Sequence, residues 1–517
     1  MYNIYIQAEK KGVLYLQDFS ILGRMEEDMP DPLPEFFADL NLDPLIVEMG
    51  NGFEPYDLRE YYYRMPKEKE DILYRQEVLK ELDPEMEERI TGFYRAVKKS
   101  QTYEQYAEDT EDGESSAHWH LLAAHLYYTA LDELMAYLET KGQMVDGWDG
   151  FFRMCSEQTA RGDYKESHDL VLAIYRKISE IRYTMRIEED HILILPRVEE
   201  DDYVGELCRK YSHIIETPDK LYNILPGSQH STDLEKRILR YIKKKEPGVF
   251  REMMGFREKY PKIIADPILK FHREITFYLS FLKFRHQMER HDYEFCYPKF
   301  NDDEFRIEGG YDLALALKNV QDGKKTVAND YYFKEKERFF VVTGPNQGGK
   351  TTFGRAAGQL VYFSLLGLPV PAKKAVIPRF HGLMTHFSVE ESTESGRGKL
   401  KEELVRLSEM LERRKKHSFV IINELFTSAA TYDALQMGRE IMQYFLDDDC
   451  YGIYVTHIDK LAEENGQIVS MTASIQGQKV RTYKVERNKA EGKGYAESIV
   501  EQYGLTYDDI IRRLSNA

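Results

Sequence analysis

The stretch VVTGPNQGGKTTFGR, residues 341–355, constrains this chain more than any other. It runs from apolar residues through a glycine-rich loop into a helical pattern. Gly344, Pro345, Asn346, Gln347, Gly348, Gly349, Lys350 and Thr351 fit the spacing GxxxxGK[ST], and Thr352 extends it. Glycines let backbone N–H groups turn inward around phosphates, and the following helix presents the positive end of its dipole. In that setting Lys350 reaches the β- and γ-phosphates of a nucleotide, and the Thr351 hydroxyl ligates Mg²⁺. RFFVVTG, SFVIINE and YGIYVTH read as buried strands separated by patterned helices, the signature of an α/β domain with a largely parallel sheet.

Hydrolysis of a bound nucleotide needs a group that polarises water and a carboxylate near the metal. Glu424 ends the run FVIINEL, where a general base belongs. The position before it is Asn423, whose amide accepts a bond from metal-bound water but brings no negative charge. His457, in YVTHID, ends the next strand and is placed to sense the γ-phosphate.

The chain of 517 residues is too long for one core. Residues 56–324 read as a mainly helical domain: Ile72, Leu79 and Leu82 share one stripe, interrupted at Pro84. AEDTEDGESS (107–116) reads as a solvated loop. Alternation at Tyr183, Met185 and Ile187 followed by HILILP predicts a hairpin insert near 183–195. Thr232 and Glu235 form a capping box before a helix that buries Leu234, Ile238, Leu239 and Ile242. Residues 1–55 are a small N-terminal segment, and 325–517 form the α/β domain. No long apolar run or secretory leader is visible, and Cys155, Cys208, Cys296 and Cys450 are scattered without a CxxC pair. Reduced thiols and a cytoplasmic setting are expected. The net charge of −18 opposes a nucleic-acid coat but not one basic channel.

Beyond these readings, TGPNQGGKTT resembles the Walker A motif of the DNA mismatch repair MutS family, TGPNxGGK[ST]T. VANDYYF, LLGLPVPAKKAVIPRF, THFSVEE, TYDA and VTHIDKL are similar to further segments of that family, in order, over 325–517. Weaker similarity in FFADLNLDPLI and in YYYRMPKEKEDILYRQEVLKEL reaches the helical lever domain. The resemblance implies a multidomain chain: a helical lever/core domain followed by a P-loop ATPase of the ABC type, with ATP and Mg²⁺ as cofactors. It also implies a homodimer in which Ser388 to Gly398 reaches the other subunit's nucleotide. The departures are a missing mismatch-reading N-terminal domain, LFTSAA in place of a glycine-rich turn after Glu424, and an inserted STESGRGK. That insert precedes a helix with Leu400, Leu404, Leu407 and Leu411 in register and the i,i+4 pairs Glu402/Arg406 and Glu409/Arg413.

Two functions follow from the resemblance and the charge. One is a slow ATPase acting as an ATP-gated clamp or sensor on duplex or branched DNA, tied to repair or recombination, with no membrane partner. Basic stretches support it: Lys236, Arg237, Arg240, Lys243, Lys244 and Lys245, and KFHREI with FLKFRHQMERH. The other is a nucleotide-switched protein scaffold that does not bind DNA, which the acidic balance favours.

Overall fold

The computed structural model describes residues 19–24, 33–181, 183–188, 191–196, 241, 243–387, 399–463, 465–476, 480–489, 506–507 and 510–512. The capping box at Thr232 and Glu235 with its helix, Lys236, Arg237 and Arg240, and Ser388 to Gly398 lie outside the described residues.

The chain forms two compact units. One comprises Met1–Phe19, Asp83–Met144 and Trp148–His272; the other comprises Ser20–Leu82, Val145–Gly147 and Arg273–Ala517. This division differs from boundaries near 55 and 324. Residues 20–82 are tied to the second unit by bonds that sequence distance hides: Arg75 Nε donates to Leu22 O (2.9 Å), and Tyr278 Oη donates to Ile21 O (3.0 Å).

The first unit is built on two long helices, Pro84–Asp109 and Gly113–Lys141. Asp83 and Asp112 cap them, accepting from Met86 N (2.8 Å) and Ser115 N (2.9 Å). The acidic stretch is therefore mostly helical, with the first helix running to Asp109 and the second starting at Gly113. Ile90, Phe93, Val97, Leu121, Ala124 and Leu131 are buried, and Ser100 Oγ donates to Ala123 O (2.9 Å) between the two helices. Helices Gly162–Glu180 and Pro247–Lys259 pack on Gly113–Lys141. Strands β1 (Tyr183–Glu188) and β2 (His191–Pro196) form an antiparallel hairpin, Tyr183 opposite Pro196 and Glu188 opposite His191.

In the second unit, Ile72, Leu79 and Leu82 are buried as one stripe of helix Lys69–Glu81. Strands β3 (Lys299–Phe300), β4 (Arg306–Gly310), β5 (Asn329–Tyr332) and β7 (Lys374–Ile377) form a small sheet in the order β3-β7-β4-β5. The main sheet adds β6 (Phe339–Thr343), β8 (Leu383–Phe387), β9 (Phe419–Asn423), β10 (Tyr451–Val455), β11 (Ile468–Gln476) and β12 (Val480–Arg487). Its order is β12-β11-β6-β10-β9-β8, parallel except for the antiparallel pair β11/β12. Strands β6, β9 and β10 are buried along their whole length, as expected of a parallel sheet covered on both faces.

Helix Lys350–Leu365 follows β6 and lies between the two sheets. Gly354 and Gly358 face Ile421 of β9, and a Cβ at Gly358 would stand 2.5 Å from Leu40 Cδ2 and 2.6 Å from Ile421 Cδ1, so a larger residue there would push those side chains aside. On the other side Tyr331 of β5 stacks on Phe353 at 4.3 Å. Gln359 is fully buried in this helix yet satisfied: Nε2 donates to Leu40 O (2.9 Å) and to Asp312 Oδ1 (3.0 Å), and Oε1 accepts from Leu313 N (2.7 Å). In helix Lys399–Glu412 the buried side holds Glu403, Leu407 and Met410, while Leu404 is 43% exposed. Leu400 and Leu411 pack against the same core, so the buried side runs through 400, 403, 407, 410 and 411 and leaves Leu404 at its solvent margin.

Candidate functional site

The parallel register brings the ends of β6, β9 and β10 together. Val455 pairs with Val342 on one side and with Asn423 on the other. Whatever follows these strands therefore gathers at one edge of the sheet, the crevice where open α/β sheets place ligands.

After β6 the chain turns through Gly344 at φ 119°, Gln347 at φ 59° and Gly349 at φ 92° before the helix begins at Lys350. A Cβ at Gly344 would stand 3.2 Å from the backbone nitrogen of Ala473 on β11, and one at Gly348 would stand 3.0 Å from Pro345 O. Glycine is thus required both by dihedral angle and by space. Lys350 is buried, with Nζ donating to Gly344 O (2.8 Å) and Pro345 O (3.2 Å). Burial pushes its ammonium below the usual lysine range, while the carboxylates of Glu424 and Asp459 pull it back up.

The Thr351 hydroxyl donates to Asn423 Oδ1 at 3.0 Å, so the first turn of the helix and the end of β9 meet directly. Glu424, next in the chain, has φ 54°, and Phe426 has φ 62°. Non-glycine residues in the left-handed region cost on the order of 1–2 kcal/mol each. Here the turn is held by Glu424 N donating to Val455 O (2.9 Å) and by burial of Leu425 and Phe426. Leu425 and Phe426, which stand where glycines were expected, thus plug the core beneath Glu424. Glu424 Oε1 lies 2.9 Å from His457 Nε2, joining the strand-end carboxylate to the strand-end imidazole.

The structure therefore brings Lys350, Thr351, Asn423, Glu424 and His457 to one edge. It adds residues that spacing did not flag. Asp459, opening a 3₁₀ turn four residues beyond the end of β10, contributes charge at Lys350. Tyr483 of β12 has φ 57°, is 48% exposed, and lies so close that a Cβ at Gly349 would be 3.6 Å from it. Asn329 of β5 holds that strand: its Nδ2 donates to Tyr483 O (3.3 Å) and its Oδ1 accepts from Val485 N (2.9 Å). The sequence signal for this pairing was VANDYYF, but not where its asparagine points.

The basic stretches fare differently. His272 is buried, stacks on Tyr94 at 4.4 Å and bonds Tyr94 O at 3.0 Å. Lys283 donates to Asn51 O, Arg285 Nε lies 2.7 Å from Glu289, and Lys243 pairs with Glu114. These contacts draw several of the expected cations into the protein's own bonding. No helix among the described residues is long and apolar enough to cross a membrane.

Comparison with known proteins places the same edge in a family. Residues 340–511 match the family description MutS domain V. DNA mismatch repair protein MutS of Thermosipho melanesiensis is 26% identical over 228 residues, 41% of this chain and 27% of that protein. The Thermotoga neapolitana protein of the same name is 30% identical over 169 residues, 33% of this chain and 21% of that protein. That of Rickettsia rickettsii is 28% identical over 172 residues, 33% of this chain and 19% of that protein. The match thus spans about a quarter or less of these curated relatives.

Proposed function

This chain belongs to the MutS family, and on that premise we propose that it binds and slowly hydrolyses ATP and uses the cycle to gate binding to duplex or branched DNA. The observation that carries the reading is the joined pair of contacts at one sheet edge, Thr351 to Asn423 at 3.0 Å and Glu424 to His457 at 2.9 Å.

The residues fit a nucleoside triphosphate with Mg²⁺. The loop at 344–349 is tight at Gly344 and Gly348, so that backbone N–H groups there can face the phosphates. Lys350 exchanges its carbonyl partners for phosphate oxygens. Thr351 and, through water, Asn423 would hold Mg²⁺, which supplies charge neutralisation at the β- and γ-phosphates. Glu424 accepts a proton from the attacking water, and His457 orients that carboxylate while facing the γ-phosphate. The half-exposed Tyr483 ring beside Gly349 offers an apolar face to the base. Residues 344–352, including Pro345, Asn346 and Thr352, form the binding loop. A second copy of the chain completes each site through Ser388 to Gly398, and a cytoplasmic setting suits the free thiols of Cys155, Cys296 and Cys450.

DNA binding rests on the family and on the similarity to DNA mismatch repair proteins. The net charge of −18 and the internally paired Lys243, Lys283 and Arg285 favour the second reading, a nucleotide-switched scaffold without DNA. Binding of the full chain to duplex and branched DNA across a salt series, with and without ATP, separates them. DNA action requires affinity that falls with salt by a slope of roughly −0.9 per phosphate contact and that ATP changes. No salt-dependent binding to either DNA, alongside retained ATP hydrolysis, favours the scaffold.

A further inference from the structure

Residue 39 lies more than 300 positions before the loop at 344–349, yet it touches the helix that carries Thr351 and the strand β8 that pairs with the one carrying Asn423. On one side, Arg355 stands one helical turn after Thr351 and its Nε donates to Asp39 O at 3.3 Å. On the other, the Asp39 carboxylate accepts from Thr385 Oγ1 at 2.7 Å. Thr385 lies on β8, whose register sets Thr385 beside Ile421 and Phe387 beside Asn423 on β9. Arg406 closes the arrangement: Nη1 donates to Phe387 O (3.0 Å) and Nη2 lies 3.9 Å from Asp39 Oδ2. The Asp39 side chain is 13% exposed, so its bonds are sheltered from competing water.

We propose that Asp39 is a positioning residue for the metal-binding pair, cross-linking the helix that carries Thr351 to the strand that flanks Asn423. This rests on the nucleotide reading above and names what holds its geometry. The physical case is one of tolerance. Asn423 brings an acceptor oxygen without a negative charge, so its hold on a hydrated cation depends on placement alone, and a shift of a few tenths of an ångström between helix and strand is not offset by charge. The backbone carbonyl of Asp39 sets the helix and its carboxylate sets the strand, so a single rigid residue spans the two.

The test uses the full chain and a fluorescent ADP analogue titrated in EDTA and again in saturating Mg²⁺. Asp39→Ala and Thr385→Val are expected to leave affinity in EDTA unchanged and to remove about tenfold of the gain that Mg²⁺ confers. Thr385→Ser, which keeps the hydroxyl, is expected to restore it, and the double variant Asp39→Ala/Thr385→Val to lose no more than the worse single one. General loosening of the fold would weaken both titrations equally and would overturn the proposal, as would an unchanged Mg²⁺ gain in Thr385→Val. Should Asp39→Ala not fold, the Thr385→Val and Thr385→Ser pair decides alone. A parent protein that binds no nucleotide in either condition overturns the nucleotide reading itself, a result distinct from a parent that binds with a Thr385→Val variant that matches it.

Discussion

The hairpin of long helices in the first unit and the strand-end cluster in the second are stabilised on different scales of chain distance. In the hairpin, caps act three residues away, and Ser100 bonds Ala123 across a short turn. At the cluster, Thr351 meets a residue 72 positions on, and Glu424 meets one 33 positions on, each brought there by strand register. Local bonding produces a rod whose side chains face a core. Long-range register produces an edge where loops converge, and chemistry needs convergence. On the proposed function, stability belongs to one region and reactivity to the other, and that division can be tested.

The largest expected effect is on the cluster. Lys350→Ala removes the cation proposed to meet the phosphates and is expected to abolish nucleotide binding or nearly so, measured by equilibrium titration. Unchanged affinity would put the site elsewhere. Next, Glu424→Gln keeps shape and removes the proposed proton acceptor. Binding is expected to persist while steady-state hydrolysis falls by about 10²–10⁴-fold, with a closed dimer accumulating in ATP on size-exclusion chromatography. A parent rate in this variant would mean that another group serves as base.

The hairpin supplies the contrasting arm. Leu121 is fully buried there, and Leu121→Ala is expected to cost about 2–5 kcal/mol on denaturant unfolding. Nucleotide affinity should stay at the parent value; if it falls with stability, the two regions are not separable in the way their bonding suggests. The smallest effect expected is at Asn423. Asn423→Asp adds a charge at the proposed metal position, on the scale of about 1 kcal/mol, and should lower the half-maximal Mg²⁺ for hydrolysis by roughly fivefold. Superimposable Mg²⁺ curves would show that the amide does not limit metal binding.

How much of the site is legible in the chain depends on how local each determinant is. Gly344, Gly349 and Lys350 are legible because a phosphate loop is a contiguous device, its spacing dictated by backbone dihedrals within a few residues. Glu424 and His457 are legible as strand ends after apolar runs. The helical stripe at Ile72, Leu79 and Leu82 is legible for the same reason, since a period of 3.6 residues is local. Asp459 was not legible, because an exposed-looking acid in a turn carries no periodic mark. Nor was Tyr483, whose left-handed backbone and bond from Asn329 depend on a residue 154 positions away. The leucines at 400, 407 and 411 share a helix and pack on the core as their register suggests, but that Leu404 stays half-exposed and Glu403 is buried was not legible, since register does not say where a face ends.

By itself, then, the order of residues determined the three buried strands of the α/β domain, the hairpin near 183–195 and the loop that turns with glycines. Those are short-range consequences of dihedral preference, apolar patterning and capping. The tertiary structure alone decided that residues 20–82 join the nucleotide unit, that Gln359 is satisfied by Leu40 and Asp312, and that Asp39 spans Arg355 and Thr385. A buried polar side chain must find a partner wherever the fold brings one, and a partner more than 300 residues away leaves no trace in local pattern.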